Sequence, residues 1–206
     1  MPKWSWSNNN TYGGIRLMAV TTIPTAGITD SAVTIAKASG FGKIGQMVTT
    51  TFTGTESTTV NLSSANSYTN SSLTASITPT ATSSKILVLC TVNAGSSSGS
   101  NGCHIGRFTM TISSTTTAEF RGDAASNRKR NSSGRGNESA GSATILTKNF
   151  NFVLSPSTTS ATTITYQFAT RGGGSGTSYI NRTHDDGDST EDGRTASALT
   201  LMEILA

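Results

Sequence analysis

The stretch Lys85-Ile86-Leu87-Val88-Leu89-Cys90-Thr91-Val92 is the most apolar run in the chain, and it decides the fold class. Eight residues are too few for an ordinary helix and suit a strand, and here both faces of the strand are apolar. Strands of this kind lie in the middle of a sheet whose surfaces are covered. We therefore expect a central strand over residues 85–92 that is covered on each side.

Other runs that favour strands lie on both sides of this stretch, at residues 47–52, 58–62, 73–78, 108–112, 144–154, 163–169, 179–180 and 198–205. Apolar and polar residues alternate along 108–112, 150–154 and 163–169, as they do in half-buried strands. Roughly eight to ten short strands with polar turns between them are typical of sandwiches and jelly rolls. The sequence predicts an all-β protein with an antiparallel β-sandwich (jelly roll) over residues 46–206, preceded by an extended N-terminal arm and linker over residues 1–45.

The composition agrees with short strands and polar loops. Hydrophobic residues make up 33% of the chain and charged residues 13%, and the formal net charge is +4. Thr, which favours pleated strands, and Ser, which favours turns, together supply much of the remainder. So little apolar surface gives a thin core, which leads us to expect self-association that buries more. No apolar run approaches the roughly 18 residues of a membrane-spanning helix, so we expect no membrane insertion.

Few residues are suited to catalysis. His104 and His184 have no Cys or His partner at metal-ligand spacing, and the glycine-rich stretch 172–176 lacks the Lys of a phosphate-binding loop. We predict that the chain is not an enzyme and needs no metal or other cofactor. Cys90 and Cys103 flank an expected hairpin and allow two interpretations, a cross-hairpin disulfide or two buried thiols, of which a reducing compartment favours the second.

Two charged loops are candidate binding sites. The acidic loop 185–192 offers oxygen ligands of the kind that calcium prefers, but it lacks the EF-hand spacing, and a solvated turn is the favoured interpretation. The basic stretch 121–141 is interpreted as a long mobile loop for surface adhesion, with Arg128, Lys129, Arg130 and Arg135 as its contact residues. Nucleic-acid binding is disfavoured because no aromatic residue lies between Phe120 and Phe150.

Several segments resemble parts of small β-rich bacteriophage proteins. Residues 78–88 are similar to the start of a strand in that family, residues 179–183 and 197–204 to its C-terminus, and residues 23–30 to the N-terminal linkers of phage fibre proteins. The resemblance implies a virion fibre or decoration protein with a jelly-roll head similar to the trimeric heads of complement C1q and tumour necrosis factor. It would be made in the host cytoplasm and located in the virion.

The resemblance also implies how the chain works. A homotrimeric tail fibre would attach by its N-terminal arm to another virion protein and present its head for adhesion to the host surface, with a surface glycan as one candidate ligand. The alternatives are a capsid decoration or cement protein and a carbohydrate-binding lectin module. The predicted anchor residues are Trp4, Trp6, Tyr12 and Ile23, although the two tryptophans could instead fold back on their own domain.

The C-terminal strand allows two interpretations. Its apolar residues lie on both faces, and the predicted oligomer-interface residues are Leu199, Leu201, Met202 and Ile204. In the resembling family such a strand would lie near the trimer axis. The alternative is an ordinary inner strand of one sandwich.

Overall fold

The computed structural model describes residues 43–62, 67–97, 103–134, 144–171 and 176–205. These residues form ten strands and no helix. The strands are β1 (Lys43–Phe52), β2 (Glu56–Thr58), β3 (Thr69–Ile77), β4 (Lys85–Ser96), β5 (Ile105–Ile112), β6 (Thr115–Glu119), β7 (Ile145–Leu154), β8 (Thr162–Ala169), β9 (Ser178–Ile180) and β10 (Ser197–Leu205). The predicted all-β class is confirmed. The N-terminal arm up to residue 42 lies outside the described residues.

The strands form two antiparallel sheets that pack as a sandwich. The first has the order β1-β10-β4-β9-β2, with β7 paired to the other side of β4; the second has the order β3-β8-β5-β6. Strand β4 is long enough to pair with β10 at its start and β9 at its end along one side. The prediction that residues 85–92 form a central strand is therefore confirmed.

The core lies between the two sheets and consists of alternate residues from their facing surfaces. Ile86, Val88 and Val92 of β4 are fully buried, and so are Phe108 and Tyr166 from the opposite sheet. The rings of Phe108 and Phe150 meet edge to face with centroids 5.1 Å apart, a geometry that adds roughly 0.5–1.5 kcal/mol beyond the area buried. This aromatic cluster fills the space that the many small residues leave open.

A buried carboxylate closes one end of the sandwich. Glu203 of β10 accepts hydrogen bonds from Gln46 Nε2 at 2.8 Å and from the backbone N–H and hydroxyl of Thr80 at 2.6 and 2.7 Å. Burial alone would raise the pKa of Glu203, but these hydrogen bonds outweigh it and lower the pKa to about 2. Gln46 also donates to the carbonyl of Thr78 at 2.6 Å, so the network ties β1 to the turn after β3.

Candidate functional site

An apolar row crosses the outer face of the larger sheet. Met47 of β1 pairs with Met202 of β10, Met202 with Leu87 of β4, and Leu87 with Val153 of β7. Directly paired residues point to the same face, and neighbouring strands lie about 4.8 Å apart. The four side chains therefore form a continuous line of about 14 Å. We call this line, together with Ile44, Leu89 and Ile204 beside it, the apolar row.

The apolar row is open to solvent in the single chain. Exposure is 63% for Ile44, 60% for Met47, 50% for Val153 and 37% for Leu89. The outer face of β4 is thus not covered by the described part of the chain, although the sequence led us to expect cover on both sides. Contiguous exposed apolar residues of this kind mark interaction surfaces in soluble proteins.

The predicted interface on the C-terminal strand is divided between the two faces of β10. Leu199 and Leu201 are fully buried in the chain's own core, so the prediction that they form an intersubunit contact is wrong. Their side chains point inward because Leu199 pairs with Cys90 and Leu201 with Val88, both of which are inner residues of β4. Met202 and Ile204 point outward and belong to the apolar row, where they stay available for a contact.

The outer face of the smaller sheet is polar by contrast. Hydroxyls of neighbouring strands bond to each other there, as between Thr74 and Thr165 at 2.8 Å and between Thr111 and Thr116 at 2.9 Å. Threonine pairs of this kind stabilise the sheet while leaving a surface that water solvates well. The outer face of the larger sheet also has a threonine pair, Thr49 with Thr200 at 3.0 Å, beside the apolar row. The two outer faces of the sandwich therefore differ in the apolar row and not in the presence of hydroxyls.

A basic cleft lies where residues 121–131 pass over the smaller sheet. Its volume is about 650 Å³, which falls within the size range of small-molecule sites. The cationic side chains that line it are Arg107, Arg121, Arg128, Lys129 and Arg130, together with Leu62, Tyr68, Ser126 and Asn127. The structure thus brings the predicted adhesion residues Arg128, Lys129 and Arg130 to one opening, whereas Arg135 lies outside the described residues.

The loop that carries these cations is fixed at both ends. The ring of Phe120 stacks on Phe152 with centroids 4.5 Å apart, at the point where the chain leaves β6. At the other end, the backbone N–H groups of Ser132 and Ser133 donate to the carbonyl of Gly106 at 2.9 and 3.0 Å. The described part of the basic stretch is therefore tied to β5, which holds its cations in a defined arrangement.

Arg107 and Tyr68 form the floor of the cleft. The Arg107 guanidinium lies 3.9 Å from the centre of the Tyr68 ring and donates from Nε to Gln167 at 2.7 Å. The Tyr68 hydroxyl donates in turn to Asn131 of the loop. Burial lowers the pKa of Arg107, and the charge of Arg121 lowers it further against the opposing effect of Tyr68. This local field is positive and would favour an anion.

Sequence reasoning found the loop cations but missed Arg107, Tyr68 and Leu62. Arg107 occupies an outward position in an alternating strand, where a charged residue is usually only solvated. Strands β3, β8 and β5 lie side by side, and this order brings Tyr68 and Arg107 together from 39 positions apart. An arginine and a tyrosine that far apart carry no sequence signal of their contact.

His104 is a fully buried polar side chain. Its Nδ1 bonds to the Ser178 hydroxyl at 2.7 Å and its Nε2 to the Tyr166 hydroxyl at 2.8 Å. Burial lowers the pKa of His104 to about 3, and Lys148 adds to that effect. A serine beside a histidine is the geometry of an activated nucleophile, but all three side chains are fully buried and no substrate atom can reach them. The cluster is structural.

Two carboxylates of the acidic loop, Asp186 and Asp192, have partners within or beside the loop. Asp186 forms ion pairs with Arg194 at 3.0 Å and with Arg182 at 3.3 Å, and the hydrogen bond from Arg194 is the main reason why the pKa of Asp186 is lowered. Asp192 accepts from Thr183 at 3.0 Å and from the backbone of Gly187 at 3.2 Å. Among the described residues, no group of three or more His, Cys, Asp or Glu side chains is placed to hold a metal ion.

Other predicted residues have simpler outcomes. Cys90 and Cys103 are both buried thiols, in agreement with the interpretation as two thiols. The predicted anchor residues Trp4, Trp6, Tyr12 and Ile23 lie outside the described residues. Across the ranges that the structure describes, no helix has the length and apolar character to cross a membrane.

Comparisons with known proteins give only a distant likeness. No family model matches the chain, and no curated protein matches it. Among solved structures, a structure of infectious bursal disease virus Gx strain is similar at 14% identity and a TM-score of 0.37, and a crystal structure of the infectious bursal disease virus VP2 subviral particle at 12% identity and the same TM-score. Each likeness covers 78% of this chain, which spans only 37% of the length of either of those chains.

Proposed function

We propose that this chain is a structural protein of a bacteriophage virion, a tail fibre whose β-sandwich head assembles as a homotrimer and adheres to the host surface. The observation that carries the proposal is the apolar row on the outer face of the larger sheet. The resemblance of residues 23–30, 78–88, 179–183 and 197–204 to phage proteins supports the virion assignment, and the basic cleft supports adhesion.

The apolar row favours contact with copies of the same chain. Met47, Leu87, Met202 and Val153 lie across four strands, so a partner surface of matching width is needed to cover them, and an identical sheet has that width. The row carries no charge that would select a charged partner. Only 33% of the chain's residues are hydrophobic, so its own core buries little apolar surface. Burial of the apolar row between subunits would add to that buried surface and stabilise the assembly.

Light scattering coupled to size-exclusion chromatography tests the assembly. The full chain should elute with the mass of three subunits, and the double variant Leu89→Lys with Val153→Lys should elute as a monomer because it places two cations in the apolar row. The matched control Thr163→Lys adds a cation to the outer face of the smaller sheet and should remain trimeric. A stable monomer for the unaltered chain would remove the main support for the proposal.

Microscopy of intact particles tests the location. An antibody against the head should label tail fibres, and labelling spread over the capsid would instead identify a decoration protein. Deleting residues 1–20 should abolish incorporation into particles while the head remains folded and trimeric. Incorporation of the shortened chain at the normal level would show that Trp4 and Trp6 are not the anchor.

A further inference from the structure

The basic cleft holds five cationic side chains around one opening. Among the described residues, none of these five forms an ion pair with a carboxylate, and Asp123 is the single acidic residue of the described loop. Like charges this close repel one another, and at the partly buried Arg107 the charge of Arg121 adds to the effect of burial in lowering the pKa. A bound anion would relieve this repulsion, so the electrostatics of the cleft favour anion binding.

The cleft is built rather than a chance cluster of surface charges. Arg107 is held by the ring of Tyr68 and by Gln167, and Arg130 donates from Nε to the carbonyl of Gly122 at 2.7 Å. A backbone hydrogen bond from the N–H of Gly122 to the carbonyl of Asn131, at 3.2 Å, joins the two ends of the loop. Because Arg107, Arg130 and the loop backbone are already positioned, less free energy is lost to ordering the cleft when an anion binds there.

Uncharged polar groups beside the cations indicate which kind of ligand molecule bears the anionic group. Ser126 and Asn127 line the cleft with a hydroxyl and an amide, and the amide of Asn131 lines its continuation next to Arg171. Hydroxyl and amide groups in addition to arginines match a ligand that is rich in hydroxyls as well as charged. We propose that the basic cleft binds an anionic saccharide, with Arg121, Arg128 and Lys129 contacting phosphate or carboxylate groups on the sugar.

Two other anionic partners fit the cleft less well. Single-stranded nucleic acid is bound by aromatic side chains on which bases stack, and the one aromatic residue of the cleft, Tyr68, has a face covered by Arg107. The acidic loop of a second copy has one of its carboxylates, Asp186, already paired with Arg182 and Arg194. Nucleic acid remains an outcome of the test below.

The inference rests on the proposed adhesive function, because a saccharide ligand at this position is useful to a head that meets a cell surface. It is tested by calorimetric titration of the full chain with four probes. These are a phosphorylated lipopolysaccharide core oligosaccharide, its dephosphorylated form, oligogalacturonate and its neutral methyl ester. The first pair tests phosphate and the second pair tests carboxylate as the charged group. A short single-stranded DNA serves as the nucleic-acid probe.

Matched variants connect binding to the cleft. Arg121→Gln with Arg128→Gln should weaken binding of the charged saccharide by about tenfold or more, because each charge-assisted hydrogen bond is stronger than a neutral one. Lys129→Gln should weaken it severalfold, whereas Lys85→Gln removes one exposed lysine from the other sheet and should leave it within about twofold. Thermal unfolding should be unchanged in all three variants, since these residues are exposed.

The outcomes separate this inference from the proposed function. Tight binding of either charged saccharide over its neutral form, lost in the cleft variants, supports it. The inference is overturned if no saccharide binds, or if the charged and neutral forms bind equally. It is also overturned if Lys85→Gln loses as much saccharide affinity as the cleft variants, or if DNA binds more tightly than the saccharides. A trimeric protein that is located on tail fibres but fails these titrations would leave the proposed function standing and refute the saccharide site alone.

Discussion

His104 should make the protein sensitive to mild acid. The folded chain holds this imidazole neutral, with a pKa of about 3, because it is buried between Tyr166 and Ser178 and no carboxylate offsets a positive charge there. In the unfolded chain the same group takes up a proton near the ordinary value of 6.5. Between these two values the unfolded state binds more protons than the folded state, so the free energy of unfolding decreases as the pH falls.

The size of the effect follows from the two pKa values. From pH 7 to pH 5, protonation of His104 in the unfolded state lowers the free energy of unfolding by about 2 kcal/mol. For a chain of this length that corresponds to roughly 4–8 °C in melting temperature. Glu203 does not interfere in this window, because its stabilising contribution is lost only as the pH falls from its ordinary value of 4.5 toward 2.

Urea unfolding of the unaltered chain and of His104→Gln, at pH 7 and at pH 5, measures the effect. The variant should be less stable at pH 7, because glutamine replaces two buried hydrogen bonds imperfectly, but it should lose about 2 kcal/mol less between the two pH values. His184→Gln is the matched control and should keep the full pH dependence. If His104→Gln fails to fold, Tyr166→Phe offers a second test because it keeps the histidine buried. This variant should be less stable, but its free energy of unfolding should decrease between pH 7 and pH 5 as steeply as that of the unaltered chain. Equal slopes for His104→Gln and the unaltered chain would refute the reasoning.

Three further predictions concern packing and thiols. Leu199→Ala should lower the free energy of unfolding in urea by about 2–5 kcal/mol without changing the number of subunits, and a change of subunit number would place this residue in an interface. Gly106→Ala puts a methyl group against a buried tyrosine hydroxyl and should destabilise by roughly 1–3 kcal/mol in thermal unfolding, whereas Gly134→Ala, with nothing near its added methyl group, should be neutral. Burial raises the pKa of Cys90 to about 12, so mass spectrometry should find Cys90 and Cys103 alkylated by iodoacetamide only after denaturation; resistance in denaturant without reductant would indicate a disulfide.

Most strands could be predicted because burial on one side leaves an alternating pattern. Residues 163–169 and 108–112 show it clearly, and they correspond to β8 and β5. Strand β6 was missed because Thr115–Glu119 contains no large apolar residue and is held mainly by pairing with β5. The predicted strand over 58–62 was displaced to Glu56–Thr58, since Leu62 turns into a separate small cluster with Cys103 and Ile105 instead of continuing the sheet.

Which face of a strand is buried could not be predicted where both faces are apolar. In residues 198–205 the spacing alone does not distinguish Leu199 and Leu201 from Met202 and Ile204. The distinction comes from the pairing of β10 with β4, whose own inner residues are set by contact with the opposite sheet. The floor of the basic cleft was hidden for the same reason, since the contact of Arg107 with Tyr68 depends on the order of the strands.

The two candidate surfaces lie on opposite faces of the sandwich, and this makes the two proposals compatible. Arg107 belongs to the outer face of the smaller sheet, in the same row as Gln167, whereas Met47 and Met202 belong to the outer face of the larger one. If subunits meet through the apolar row, every basic cleft points away from the assembly axis. A trimer would then carry three clefts on its outer surface, and engagement of more than one of them would make attachment firm even where each saccharide is bound weakly. Variants that break the trimer should therefore weaken binding to whole cells far more than binding to a soluble oligosaccharide.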